Sequence, residues 1–199
     1  MSAAMLTEPE QEVLLRWARE VLEGLLHEGE TPALEGRRFP PALVQPAGAF
    51  VTLHLGGELR GCIGTFSADR PLVEIVREMA VAAATQDPRF RPVPRGELPL
   101  IQLEISVLSP RWPSRDPLAE LEIGVHGIYL TRGWHRGVLL PQVASEQGWD
   151  AETFLAHTCR KAGLDDEQAW RAPDTRIELF TAQVFGEPAR PDPAGGGAV

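Results

Sequence analysis

A chain of 199 residues, 43% hydrophobic and 24% charged, carries enough apolar material for one large domain or two small subdomains sharing a core. Its formal charge of −9 opposes a phosphate backbone and argues against tight non-specific nucleic-acid binding, and no apolar run nears the roughly 18 residues that a bilayer span requires. The N-terminus MSAAMLTEPEQE lacks the basic and apolar regions of a signal peptide, so a cytoplasmic protein is expected, in which Cys62 and Cys159 stay reduced.

From the N-terminus, TEPEQEVLLRWAREVLEGLLHEG opens with Thr7 three residues ahead of Glu10, a capping-box spacing, and with Pro9 in the first turn. Val13, Leu14, Trp17, Val21, Leu22 and Leu25 recur at helical intervals, which predicts an amphipathic helix laid on the body of the protein. The proline-rich stretch that follows predicts an ordered connector. AFVTLHL and ELRGCIGTF flank Gly56-Gly57, a hairpin signal. Asp69 and Pro71 open PLVEIVREMAVAAATQ, a second helix with a largely apolar body.

The turn-rich DPRFRPVPRGELP leads into LIQLEISVLS. There Ile101, Leu103, Ile105 and Val107 alternate with Gln102, Glu104 and Ser106, so one face of the strand is buried. LEIGVHGIYLTRGWHRGVLLP contains two β runs joined through residues 132–137. Pro141 starts a short helix, Asp150 caps a longer one that stops at Gly163, and TRIELFTAQVF is a last strand. The folded region is expected over 7–185, with 186–199 a disordered tail of small residues and prolines. Hairpins outnumber any strand-helix-strand alternation, so the fold class is α+β, a mainly antiparallel sheet with flanking helices. No Gly-rich turn joins a strand to a helix as a doubly wound nucleotide fold requires.

The segment ELRGCIGTF poses the functional question, because each glycine inside a strand costs about 0.5–1 kcal/mol and supplies nothing to pack. In a regular strand Arg60, Cys62, Gly64 and Phe66 share a face, and Gly61 and Gly64 leave an open floor for an anionic or carbonyl-bearing ligand. A bulge at Gly61 would break that parity. Arg60 would lower the pKa of Cys62 if the sulfur reaches solvent. The structural alternative is a cysteine acting as a small hydrophobe, with glycines that let a neighbouring backbone approach.

Other candidates are individually weaker. Glu104 is either a sheet carboxylate, exposed or paired with an arginine, or a general base facing the same cavity. His126, between Gly124 and Gly127, is a turn histidine or a proton-transfer group. Gln142 follows Pro141 at a helix start and either contacts a polar substrate or simply caps the helix. Asp87, Arg89 and Phe90 are expected to fix a loop through a local ion pair and one buried ring, and the arginines at 89, 91 and 95 form a solvated basic loop. His157 and Cys159 point to different sides of a helix, which argues against a shared metal, and Cys159 is expected in the core. No metal or cofactor motif is evident.

LRGCIGTF, preceded by GAFVTL and followed by DPRF, EISVLS, LLPQVA and HTCRKAGL, resembles the AMMECR protein family from about the first helix to Phe185, with LRGCIG as its hallmark. The resemblance implies an α+β fold in two unequal subdomains. It also implies partnership with a radical SAM protein and a Memo-like protein in a three-component system. Two functions stay open. In one, an enzyme component binds or processes a small polar metabolite, with Arg60, Gly61, Gly64 and Gln142 in binding and Cys62, Glu104 and His126 in catalysis. In the other, a non-catalytic scaffold uses the motif as a structural hinge and docking surface.

Overall fold

The computed structural model describes residues 5–188, and there each long periodic segment forms the element its spacing predicts. The chain divides into two units. One holds the residues up to Val107 together with the segment from Gln183, and the other holds Leu108–Ala182.

In the first unit, α1 (Glu8–Glu28) begins where the Glu10 carboxylate accepts hydrogen bonds from the Thr7 amide and hydroxyl, both 2.8 Å, and ends on Gly29 at φ 79°. β1 (Ala49–Leu55) and β2 (Glu58–Thr65) form the expected hairpin, with Gly56 and Gly57 both at positive φ, as a two-residue primed turn demands. α2 (Leu72–Thr85) is capped by Pro71 rather than by Asp69, and its first turn is closed by the Ile75 amide bonding the Pro71 carbonyl. β3 (Ile101–Leu108) runs antiparallel to β1, which gives the order β2-β1-β3.

Alternation sets the two faces of this sheet. Val51, Leu53, Leu103 and Ile105 point to a core completed by Leu14, Trp17, Val21 and Leu22 of α1 and by the apolar body of α2. Each such fully buried side chain contributes about 1.5–3 kcal/mol from burial alone. The Trp17 indole N–H donates to the Val73 carbonyl at 2.9 Å, which satisfies its polar atom and ties α1 to α2.

The second unit contains β4 (Trp112–Pro113), α3 (Pro117–Glu120), β5 (His126–Arg132), β6 (His135–Leu139), α4 (Pro141–Gln147), α5 (Ala151–Lys161) and β7 (Arg176–Gly186), whose final residues lie in the first unit. β4 pairs with β7, β7 with β5, and β5 with β6, all antiparallel. The β5–β6 turn is tighter than the expected 132–137 join: Arg132 faces His135 directly, and only Gly133 and Trp134 lie between. Asp150 caps α5 by accepting from the Thr153 amide at 2.8 Å. A Cβ on Gly137 would collide with the Thr158 carbonyl, so this glycine lets α5 lie close on β6. Both units are α+β with antiparallel strands.

The expected tail from residue 186 needs correction at its start. β7 continues to Gly186, and Glu187 is held on four sides. Its carboxylate pairs with the Arg19 guanidinium and accepts the Leu103 amide at 3.1 Å, its amide bonds the Leu103 carbonyl at 2.8 Å, and its own carbonyl takes the Gln102 amide at 2.6 Å. A half-buried arginine far away in the sequence holds Glu187 in place, which local composition does not reveal. The remainder of that tail, 189–199, lies outside the described residues. Among the described residues no helix is long and apolar enough to cross a membrane.

Candidate functional site

The hallmark strand contains a bulge, one position earlier than the parity argument allowed. Leu53 faces Gly61 and His54 faces Leu59, so Arg60 is the extra residue on β2. This overturns the expectation that Arg60 and Cys62 stand in line on one face. The Arg60 guanidinium instead binds Glu97 at 2.7 Å through Nε and the Arg91 carbonyl at 2.9 Å, fastening the proline-rich loop to β2.

The open floor expected beside Cys62 is filled as well. A Cβ on Gly61 would strike the Ala83 carbonyl of α2, and one on Gly64 would strike the Phe50 ring. The two glycines admit a helix backbone on one face and an aromatic ring on the other. Phe50 also meets Phe66 edge-to-face, with centroids 5.4 Å apart.

Cys62 has a different set of neighbours. It faces Thr52 on β1, and Thr52 faces Glu104 on β3, so the three side chains form one cross-strand row on the face opposite the core. The Cys62 amide points away from β1, toward the Asp87 carboxylate at 2.9 Å, which makes Thr52 and Cys62 a non-hydrogen-bonded pair, the closer kind. The Thr52 hydroxyl donates to Cys62 Sγ at 3.3 Å. All three side chains are half-buried, and His54 follows two residues along β1 on the same face.

Among the described residues β2 borders only β1 within this unit, and its outer edge at Cys62 is closed by DPRF. Asp87, only 5% exposed, accepts the Cys62 amide, the Arg89 amide at 3.1 Å and the Arg89 guanidinium at 2.7 Å and 2.9 Å. The predicted local ion pair is present, and it also braces the motif. Hydrogen bonding from Arg89, ahead of the opposing cost of burial, holds the Asp87 carboxyl far below the usual carboxylate range. Phe90 is half-buried, with the Arg89 guanidinium 5.5 Å above its ring.

The Cys62 thiol is pushed up from its ordinary pKa, foremost by burial. The Thr52 hydrogen bond and the Arg89 charge pull it down, while the Asp87 and Glu104 charges add to the rise. Arg60 is not among these influences, contrary to the expected activation. At neutral pH the group is a thiol.

The other predicted residues fall elsewhere. His126 opens β5 in the second unit, where Nδ1 accepts the Glu122 amide at 3.1 Å and the ring meets Trp112 edge-on at 5.5 Å, which stabilises a turn. Gln142 is the second residue of α4 in the same unit, and its buried Oε1 has no hydrogen-bond partner among the described residues. Cys159 is fully buried in the core of that unit, as expected, and His157 stacks on Trp149 at 3.7 Å. Among the described residues no cluster of three metal-ligating side chains occurs.

Several open grooves lie in the first unit. One of about 880 Å³ runs along the end of α1 past His27 and Pro32. Another of about 660 Å³ lies between Gly64, Arg70, Arg77 and Leu34. Neither is lined by Cys62, Thr52 or Glu104.

Thr52 and His54 went unnoticed in the sequence although AFVTLHL alternates cleanly and places both on the polar face. The contact from Asp87 to the Cys62 amide spans 25 residues and has no local signal.

The AMMECR1 family model matches residues 15–185. A protein of Methanothermobacter thermautotrophicus is 43% identical over 192 residues, covering 94% of this chain and 99% of its own. Protein MJ0810 of Methanocaldococcus jannaschii is 41% identical over 191 residues, covering 92% of both chains. The crystal structure of uncharacterized protein PH0010 from Pyrococcus horikoshii is 38% identical and superposes with a TM-score of 0.85, covering 92% of this chain and 94% of that one. With its hallmark strand, its α+β units and this length of match, the chain belongs to the AMMECR1 family.

Proposed function

We propose that this protein is the ligand-binding component of a three-part system with a radical SAM protein and a Memo-like protein, and that a small polar metabolite docks on the row Thr52, Cys62 and Glu104. The observation that carries this reading is the row itself: a hydroxyl, a thiol and a carboxylate, half-buried side by side on three paired strands and braced from behind by Asp87. Side chains fixed on strands present a precise surface, which recognition of a polar molecule requires. Cys62 acts here as a protonated contact, and Glu104 is the group on the row that can take up a proton. His126 and Gln142 belong to the other unit and form no part of this row.

A scaffold reading draws on a different observation. Gly61 and Gly64 are consumed by packing, so the glycine half of LRGCIG is architectural. The two readings divide in one experiment, in which Cys62 is alkylated with iodoacetamide in the presence and absence of a polar metabolite fraction. Slower alkylation with the fraction, lost in Glu104→Gln, supports a ligand site. An unchanged rate across chromatographic fractions favours the scaffold. For the assembly, the chain is co-expressed with both partners. Co-elution is the expected result, and separate elution of all three contradicts the partnership.

A further inference from the structure

The row carries a charge pattern that reverses the ligand class expected from the sequence. Of the two arginines beside the motif, Arg60 is paired with Glu97 and Arg89 with Asp87, so each positive charge is already matched by a carboxylate. The Glu104 carboxylate has no hydrogen bond or ion pair among the described residues. Its oxygens are also not among the sealed polar atoms, which belong to Ser114, Gln142 and Trp170. His54, the basic side chain on the same face, stands in the next cross-strand row opposite Gln102, whose amide is committed to the Glu187 carbonyl.

Thr52 strengthens the pattern. With its hydroxyl hydrogen directed at Cys62 Sγ, Thr52 turns lone pairs toward a ligand. Glu104, ionised, offers lone pairs alone. Two acceptors side by side, one bearing an uncompensated negative charge, complement a group that only donates and is positively charged. With no cluster of metal-ligating side chains among the described residues, a divalent cation lacks the further ligands it would need here.

We infer that the ligand of this row carries a protonated amine, with the ammonium nitrogen seated between the Glu104 carboxylate and Thr52 Oγ1. The inference rests on the reading of the row as a ligand surface and names the substrate class. An anionic or carbonyl-headed ligand, the class an arginine-led site would take, does not complement these atoms.

The test is an NMR titration of the full chain, followed through the backbone amides of Thr52, Cys62 and Glu104, using n-butylammonium and n-butyrate as probes matched in length. Saturable shifts with n-butylammonium and none with n-butyrate are expected. Glu104→Gln, checked for an unchanged spectrum elsewhere, should weaken the ammonium about ten- to a hundredfold, and Glu104→Asp should retain the preference for it. Equal or stronger response of the row to n-butyrate overturns the amine assignment while leaving the row a ligand surface. An ammonium affinity unaffected by Glu104→Gln overturns it too, as does a row that neither probe perturbs. The metabolite-protection experiment then decides separately whether the row binds anything.

Discussion

Two cysteines with the same formal chemistry occupy opposite situations, and the difference can be measured. Cys159 is fully buried, so alkylation is expected only after unfolding, whereas half-buried Cys62 should react in the folded protein. Because its thiol is raised, the Cys62 rate should climb later along pH than that of free cysteine, whose pKa is about 8.5. Glu104→Gln removes a charge that raises the thiol and should speed alkylation at pH about 8, while Arg89→Ala should slow it. Arg60→Ala should leave it unchanged; a marked slowing would restore the arginine-led site. Asp87 contributes to pH-dependent stability. Its folded pKa is depressed, so its contribution is fully present above the unfolded value of about 3.9 and is lost as pH falls below it. Asp87→Asn should cost about 1.5–3 kcal/mol at neutral pH by urea denaturation, and the gap from the wild type should close in acid.

At the scale of elements, β2 shows why the motif was legible as unusual but not as a site. Glycines in a strand announce that something approaches closely, and the alternatives, ligand or backbone, look identical in one dimension. Only the third dimension shows the α2 carbonyl of Ala83 against Gly61. Gly61→Ala should therefore destabilise by about 3 kcal/mol, since the colliding atom is backbone and the helix must shift, and a melting curve unaltered by the change would refute this packing role. The hairpin turn, α1, α5 and the alternation of β3 were readable because each is set by local chemistry: paired glycines, a Thr7-Glu10 spacing, an Asp150 cap, a period of two. The Arg60 bulge was not. It depends on Glu97 and the Arg91 carbonyl, some thirty residues onward, drawing the guanidinium aside.

For the whole molecule, the succession of hairpins and helices sufficed for the α+β class and the net charge for an acidic protein, but neither for where order ends. Glu187 follows the last apolar residues and precedes Pro188, so its neighbours in sequence look like a tail, yet it closes the charge of Arg19. The two side chains are 11% and 15% exposed, so Glu187→Ala should leave a partly desolvated guanidinium and cost about 1–3 kcal/mol in denaturant unfolding. Stability equal to the wild type would show that the pair contributes nothing.

The central claim is that recognition belongs to the row of Thr52, Cys62 and Glu104, with the glycines serving the fold. A crystal structure of the full chain after incubation with a polar metabolite fraction tests it most directly. Ligand density is expected within hydrogen-bond distance of Thr52 Oγ1, Cys62 Sγ and the Glu104 carboxylate. Density confined to the groove between Gly64, Arg70 and Arg77, with the row empty, would contradict it.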